Sequence, residues 1–285
     1  MRLGGYFNAT SAAELPALCD KLDVHGLSAI GAPIRADMTD AEAADFGDQA
    51  RALGLVVGET GMWENLMTAD RVKQQERIDK VRGLLRKAEI MGCHCVVSLV
   101  GTRDASDHPL APSPHLFTKA GEAEFREVVL RILDGLDLKR TRYAIEPWHN
   151  TFFYQPERIK AFIDRVDHPR FGLHLDQMNM INQEHYYNTT ALINQTFDLL
   201  ADRIVAVHLK DLRCDFSHMF LKWDEVTIGN GIMDYDTYLK RLAQLPSDTP
   251  CYCEHMAEER DYALNFARLH HLASKAGVQF RRRRE

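Results

Sequence analysis

The sequence of 285 residues lacks several patterns that would assign it to a particular class of protein. No run approaches the roughly 18 apolar residues of a membrane helix, and the first residues, MRLGGYFNAT, lack the apolar segment of a signal peptide. We therefore expect a soluble, cytoplasmic protein with no membrane partner. The sequence also has no C-x-x-C pair, and its length is not that of a small disulfide-rich domain, so we expect reduced thiols. The cysteines are Cys19, Cys93, Cys95, Cys214, Cys251 and Cys253.

A surplus of basic residues is missing as well. The formal net charge is −6, and because the last five residues, RRRRE, carry +3, residues 1–280 carry −9. A body of this charge is a poor ligand for a phosphate backbone, so the sequence predicts no nucleic-acid partner. We interpret residues 281–285 as a solvated basic tail that follows a single domain over residues 1–280.

A regular alternation of strands and helices is what the sequence does contain. Eight runs of β-forming residues each precede a helical segment, without a linker or a change of composition between them. The first predicted helix, residues 11–24, begins at Ser11 as N-cap with Glu14 three residues later. The alternation predicts parallel βαβ units, and eight units in this length indicate a single-domain α/β fold, the (β/α)8 TIM barrel with eight parallel strands. A doubly wound open sheet is the alternative, but no G-x-G-x-x-G follows the first strand.

Four consecutive strands of this prediction end in a side chain that can bind a metal ion. The runs are RYAIEPWHN, FGLHLDQMN, IVAVHLKDLR and PCYCEHM, which supply Glu146, Asp176, His208 and Glu254. Because side chains alternate across a strand, each of these residues lies on the face opposite the bulky apolar set, which packs on the helices. The four should therefore meet at the mouth of the barrel, where the active sites of such barrels lie.

This set of side chains favours one divalent cation. Two Glu, one Asp and one His suit Mn²⁺, our first choice, and also Mg²⁺ or Co²⁺, with Zn²⁺ as a further alternative. Alternation turns Cys251 and Cys253 away from the barrel axis, so thiolate ligands are not expected.

The segments IEPWHN, HLDQMN, VHLKD and CEHM, in this order, resemble the xylose-isomerase-like barrel superfamily of sugar isomerases and epimerases. The resemblance covers essentially the whole chain and includes DEVTIGNGIMDYDTYLKRL. By resemblance to the ketose 3-epimerases of that group, Glu146, Asp176, His208 and Glu254 are the metal ligands. The two Glu are then also the proton-transfer groups that form and quench an enediolate of a keto sugar.

The sequence departs from the ketose 3-epimerases around the substrate. Asn179 stands where those enzymes carry a His, and Arg213 matches their substrate Arg only with a shift of about one residue. His149 is an added candidate acid or base, with a loop His bonded to backbone as the structural alternative. Further candidate substrate contacts are Lys210, Trp148, Trp63, Phe152, Glu59 and Arg35. For Lys210, an ion pair with Asp211 is the structural alternative. His174 is expected to be buried beside the ligands rather than to be one.

Three other functions compete with an isomerase or epimerase. A metal-dependent lyase would use the same enediolate to expel a leaving group from a keto sugar or 3-keto-glycoside, with His149 as its acid. A DNA endonuclease of the endonuclease IV type would need further His ligands after the third and fourth strands, where the sequence has none. A non-catalytic sugar-binding subunit is the third alternative. The expected partner is a small sugar, and a homo-oligomer is compatible with the resemblance.

Overall fold

Strands and helices alternate along the chain in the computed structural model, which describes residues 1–220 and 222–285. The strands are β1 (Arg2–Gly4), β2 (Ala29–Gly31), β3 (Val56–Met62), β4 (Cys95–Ser98), β5 (Arg142–Ile145), β6 (Phe171–Asp176), β7 (Ile204–Leu209), β8 (Asp211–Cys214), β9 (Trp223–Val226) and β10 (Pro250–Cys253). The helices are α1 (Leu15–His25), α2 (Asp40–Ala52), α3 (Arg71–Met91), α4 (Lys119–Leu133), α5 (Pro156–Val166), α6 (Gln183–Tyr186), α7 (Thr189–Leu200), α8 (Tyr235–Leu242) and α9 (Glu259–Lys275).

Eight of the strands in this described part form one parallel sheet in the order β1-β10-β7-β6-β5-β4-β3-β2. The two end strands approach each other, because the Ser28 N–H donates to the Leu3 carbonyl over 2.8 Å. The sheet is thus a nearly closed barrel surrounded by helices, and the predicted (β/α)8 fold is confirmed. Within the described ranges, none of the helices is long and apolar enough to cross a bilayer.

One large side chain fills the barrel below the mouth. Tyr252 of β10 is buried, and its hydroxyl donates to the Ile30 carbonyl across the barrel over 2.7 Å. Gly4 of β1 makes room for the ring, since a Cβ there would lie 2.6 Å from it. Because alternate residues share a face of a strand, Glu254, two residues after Tyr252, also points to the interior of the barrel. The barrel core therefore fixes the direction of one candidate ligand.

Local capping explains where α2 begins but not where α1 begins. Thr39 and Glu42 form a capping box at the start of α2, as each side chain accepts the other's backbone N–H. The capping prediction at Ser11 is wrong, because Ser11 precedes a short 3-10 helix and makes no side-chain cap. Glu14 instead accepts the backbone N–H and hydroxyl of Thr10, each over 2.8 Å. The helix α1 itself starts at Leu15, four residues later than expected.

The long segment between β7 and α8 contains an antiparallel hairpin of β8 and β9. Asp211 anchors this segment, because its carboxylate accepts the backbone N–H groups of Gly229, Gly231 and Met233 over 2.9–3.1 Å. This use of Asp211 replaces the expected ion pair with Lys210. The anchored loop brings β9 beside the barrel mouth.

The C-terminal residues differ from the expected solvated tail. The side chain of Arg283 is only 5% exposed, and its guanidinium contacts the Asp23 carboxylate over 2.6 Å. Arg281 bonds Asp248 over 3.1 Å, and its backbone N–H donates to the Met1 carbonyl. Residues 281–285 therefore pack on the N-terminal end of the barrel, because acidic side chains there provide partners that sequence order does not reveal.

Candidate metal centre

The four candidate ligands lie at the C-terminal ends of neighbouring barrel strands. Asp176 ends β6 and is paired in register with His208 of β7, while Glu146 and Glu254 directly follow β5 and β10. One potential ligand atom from each of them lies within 4.8 Å of those of the other three. Asp176, His208 and Glu146 are buried, and the side chain of Glu254 is 23% exposed. The strand alternation argued from the sequence thus brings these side chains together.

Lys210 lies among the same carboxylates. Its Nζ atom is 2.8 Å from Asp176 Oδ2, 2.9 Å from Glu254 Oε2 and 3.9 Å from Glu146 Oε1. The ammonium is buried with them. In the part of the chain that the structure describes, Asp176 Oδ2 is a buried atom that accepts no hydrogen bond of normal geometry, although it faces this ammonium. Lys210 therefore belongs to the centre rather than to the hairpin.

The charges of the cluster are stabilised mutually. Burial alone would lower the pKa of His208, but the Glu59, Glu254 and Glu146 carboxylates raise it well above its ordinary value. Burial would raise the pKa of Glu254 and of Asp176, yet His208 and Lys210 lower both. Burial would likewise lower the pKa of Lys210, but these carboxylates outweigh it and raise that pKa. Glu254 and Asp176 are therefore ionised and Lys210 is charged at neutral pH.

A divalent cation fits this set of donors. The four candidate ligands include three carboxylates, and the one ammonium that faces them is that of Lys210. With a neutral His208, the form in which imidazole binds a metal, the net charge is −2. Carboxylate oxygens with one imidazole are ligands for Mg²⁺, Mn²⁺ or Zn²⁺. The buried Asp176 oxygen without a normal hydrogen bond is an acceptor that a cation would satisfy.

Glu59 does not reach toward a sugar, as the sequence suggested, but contacts two histidines from across the barrel. Its carboxylate oxygens lie 2.5 Å from His174 Nε2 and 3.3 Å from His208 Nε2. Burial alone would raise the pKa of Glu59, but these contacts lower it to about 2. The contact of Glu59 with the histidines is not foreseen from the sequence, because Glu59 lies within β3 rather than at its end. Because Glu59 contacts Nε2 of His208, the other ring nitrogen, Nδ1, faces the ligand cluster. It lies 3.3 Å from Glu146 Oε1 and 3.0 Å from Glu254 Oε2.

His174 is buried beside the ligands, as expected. Potential ligand atoms of Glu59, His174 and His208 also lie within 4.8 Å of one another, and His208 is shared between this group and the four candidate ligands. The His208 ring can therefore link the ligand cluster to Glu59 through its two nitrogens. A carboxylate that contacts one nitrogen of a metal-binding histidine orients the ring and fixes its tautomer, and Glu59 is placed to do this for His208.

A cavity of about 370 Å³ opens directly above the four-residue group. Its wall includes the functional side chains Glu146, Asn179, Lys210 and Glu254, and Asn179 Nδ2 donates to Glu146 Oε1 over 2.9 Å. The remaining lining residues are Trp63, Leu99, His108, Pro109, Leu110, Trp148 and His255. The sequence predictions included both indoles but missed His255, whose only sequence signal is its position directly after Glu254.

Three other candidate substrate contacts lie elsewhere. Arg213 is exposed on β8 and lines neither this cavity nor the neighbouring one in the described structure. Phe152 is fully buried in the aromatic core beneath α5. Arg35 is half exposed and contacts Asp37 and the Thr10 carbonyl. The structure thus places these three side chains outside both cavities, because the paths of the loops after the strand ends cannot be inferred from sequence order.

His149 lies on the wall of a second cavity, of about 610 Å³, next to the first. Its ring stacks on Trp148 with 4.9 Å between the ring centres. Burial lowers the pKa of His149, which a backbone contact with Asn179 only partly offsets. The ring is therefore mainly neutral near pH 7, and it faces a different space from the carboxylates.

A family model described as xylose isomerase-like TIM barrel matches residues 17–277. The chain belongs to that family. No curated protein sequence matches it. Among solved structures, L-ribulose 3-epimerase superimposes with a TM-score of 0.67 and 14% identity over 97% of each chain. Family membership and the geometry above place the candidate centre at the mouth of a xylose isomerase-like barrel.

Two further solved structures share the fold. Endonuclease IV from Thermus thermophilus has a TM-score of 0.70 and 14% identity, covering 96% of this chain and all of that chain. A xylose isomerase-like TIM barrel protein from Mycobacterium smegmatis, in complex with magnesium, has a TM-score of 0.65 and 18% identity, covering 96% and 92%. At these identities the likeness shows the barrel, and proteins of different activity share it.

Proposed function

We propose that the protein is a divalent-metal-dependent isomerase or epimerase of a keto sugar. The observation that carries this proposal is the convergence of Glu146, Asp176, His208 and Glu254 beneath a cavity with indole walls. Carboxylates that can bind a cation and also exchange protons, next to a ring-sized space, suit proton abstraction beside a carbonyl group. The structural likeness to L-ribulose 3-epimerase supports the same reaction class.

Glu146, Asp176, His208 and Glu254 would hold the ion, with Mn²⁺ as our first choice and Mg²⁺, Co²⁺ or Zn²⁺ as alternatives. When bound there, a divalent ion would supply Lewis-acid chemistry: it would polarise the carbonyl group of the sugar and so lower the pKa of the C–H group on the adjacent, hydroxyl-bearing carbon. The magnesium complex of the Mycobacterium smegmatis protein supports a hard divalent cation. The absence of a cysteine ligand from both candidate groups of the described structure agrees with that choice.

The residues of the chain divide the proton transfers between them. Glu254 is the most exposed of the four and lines the cavity, so it is the better placed base. Glu146 lines the same cavity and would return the proton, with Asn179 orienting its carboxylate over 2.9 Å. The Lys210 ammonium, in contact with Glu254, would stabilise the negative charge of the enediolate. In this scheme no proton or electron is left over, because one carboxylate takes the proton and the other gives it.

Solvent deuterium exchange tests the scheme. Ketoses are incubated with the protein and Mn²⁺ in D₂O, and NMR locates the exchanged carbon. Glu254→Gln should lower the exchange rate about 10²- to 10⁴-fold, the usual contribution of a general base, while a titration still shows Mn²⁺ binding. Glu127→Gln, whose carboxylate is 66% exposed on α4, is the matched control and should keep the rate. Unchanged exchange by Glu254→Gln would contradict the two-carboxylate scheme.

A lyase remains the second candidate, because His149 lies on a cavity that adjoins the ligand cluster. In that reaction a carboxylate removes the proton beside the carbonyl, and the electron pair then expels an oxygen substituent from the next carbon. The departing oxygen takes its proton from His149. Since burial lowers the pKa of His149, this step should slow as pH rises above that pKa. Release of an alcohol or water, measured with the same panel, separates the lyase from the epimerase.

The remaining expectations concern location and partners. A small sugar is the partner that this family and cavity favour. Cytoplasmic location, the lack of a nucleic-acid partner and assembly as a homo-oligomer stay predictions, which fractionation, DNA-binding assays and sedimentation would test.

A further inference from the structure

A second cavity, which the proposed reaction does not use, adjoins the first. The two cavities share Trp148 and Asn179, so these side chains form the partition between them. The first cavity contains the carboxylates and measures about 370 Å³, whereas the second measures about 610 Å³. Pockets for drug-sized ligands span roughly 300–1,000 Å³, so each cavity alone has room for a ring-sized group. A free monosaccharide at the carboxylates would leave the larger space unfilled.

We infer that the second cavity binds an aromatic substituent attached to the sugar, so that the substrate is an aryl glycoside whose sugar ring carries the keto group, rather than a free ketose. This inference rests on the proposed function for the position of the sugar ring. The sugar would lie above Glu146 and Glu254, and its substituent would pass Trp148 and Asn179 into the larger cavity.

The apolar wall of the second cavity suits a flat ring. It contains the indoles of Trp148 and Trp223, together with Met178, Ile181 and Leu212. Trp223 of β9 is held against Tyr186 with ring centres 5.6 Å apart and ring planes only 7° from parallel. An indole fixed in this way presents a rigid apolar surface, which loses little entropy when another ring packs on it.

Three polar side chains on the wall each have one polar atom engaged within the chain, which leaves fewer hydrogen-bonding atoms for a second sugar as occupant. Asn182 accepts the His185 backbone N–H over 2.9 Å as the cap of α6. The Asp224 carboxylate lies 3.0 Å from Lys222 Nζ, and the Glu225 carboxylate lies 3.0 Å from His255 Nδ1. A sugar ring would need hydrogen bonds from such groups, whereas an aromatic ring would not. The two carboxylates also disfavour an anionic substituent.

Binding of unreactive glycosides tests this inference without turnover. Phenyl β-D-glucopyranoside, methyl β-D-glucopyranoside and cellobiose are titrated by calorimetry into the full chain with Mn²⁺. Burial of one aromatic ring should make the phenyl glucoside bind about tenfold more tightly than the methyl glucoside. Cellobiose should bind no better than the methyl glucoside. Equal affinities, a preference for cellobiose, or no binding of the phenyl glucoside would overturn the inference.

Variants on one hairpin locate the effect. Trp223→Ala should abolish the preference for the phenyl group, and Trp223→Phe should keep most of it because a ring remains. Phe216→Ala is the control, since Phe216 lies in the turn between β8 and β9 and is 82% exposed. A preference that persists in Trp223→Ala would overturn the site. If the phenyl preference is found but no sugar exchanges deuterium, the subsite stands and the proposed reaction fails; the reverse result rejects only the subsite.

Discussion

The two ends of the barrel use charged residues in different ways. At the N-terminal end, Asp248 bonds the Arg2 guanidinium over 2.8 Å and Arg281 over 3.1 Å, and Asp23 contacts Arg283. There each carboxylate has its own guanidinium partner. The negative charges of Asp248 and Asp23 are thus balanced by arginines of the same chain.

At the C-terminal end, carboxylates outnumber the lysine that faces them. Glu146, Asp176 and Glu254 all lie within 4 Å of Lys210, and Glu59 lies beneath His208. Holding so many carboxylates together is costly unless a cation joins them. The first end thus contributes stability, whereas the second sacrifices stability, as expected of a site for the proposed metal binding and chemistry.

The largest effect in this comparison is expected from Glu59→Gln. The glutamine can accept a hydrogen bond from one histidine, but its NH₂ group would face the other and displace the proton on His208 Nε2. His208 Nδ1 would then carry the proton and lose its ability to bind a metal. Mn²⁺ affinity should fall about 10- to 100-fold, the usual effect of removing a partner of a ligating histidine.

Calorimetric Mn²⁺ titration and ¹⁵N NMR of the histidine rings measure this change. The NMR signals separate a change of tautomer from a general loss of structure, which would alter all rings. Glu64→Gln is a suitable control, because Glu64 lies at the surface and pairs with Lys80 and Arg77. Unaltered Mn²⁺ affinity in Glu59→Gln would show that Glu59 does not position His208.

A smaller effect, on stability alone, is expected at the opposite end. Asp248→Asn leaves the Arg2 guanidinium, whose side chain is 7% exposed, without its carboxylate. The free energy of unfolding should fall by about 1–2 kcal/mol, since Asp248 itself is half exposed and solvent screens part of the interaction. Urea denaturation measures the change, and Mn²⁺ affinity should stay the same. Weaker Mn²⁺ binding in this variant would contradict the division between the two ends.

The smallest effect concerns a paired carboxylate near the site. Asp107 accepts two bonds from the Arg77 guanidinium over 2.9 and 2.7 Å and holds the loop that carries His108, Pro109 and Leu110. Arg77 lowers the pKa of Asp107, so its stabilisation is complete above the usual value of about 3.9 and is lost as pH falls further.

Asp107→Asn should therefore cost about 1 kcal/mol at pH 7. The difference in unfolding free energy between this variant and the unmodified protein should become progressively smaller once the pH falls below the ordinary pKa of an Asp side chain. Thermal unfolding across pH measures this difference. A stability difference between Asp107→Asn and the unmodified protein that stays constant with pH would show that the ion pair contributes nothing through its charge.

Sequence alone could predict the barrel and the convergence of the four ligands, because both depend on local patterns. The alternation of strands and helices gives the fold, and the two-residue period places Asp176 with His174 and Glu254 with Tyr252 on one face.

Features that depend on contacts between distant segments could not be predicted. Glu59 meets His174 and His208 across the barrel, at separations of 115 and 149 residues. The docking of Arg283 on Asp23 and the path of the β8–β9 hairpin also depend on packing between remote segments. The second cavity depends on that hairpin as well, because Trp223 of β9 lines it together with Trp148 from the loop after β5.

The most direct test of the central claim is anomalous diffraction from a crystal of the protein soaked in Mn²⁺. We predict one strong peak bounded by Glu146, Asp176, His208 and Glu254, at ligand distances of about 2.0–2.3 Å. No peak there, or a peak elsewhere with Lys210 still seated between Asp176 and Glu254, would contradict the claim that this end of the barrel is a metal centre.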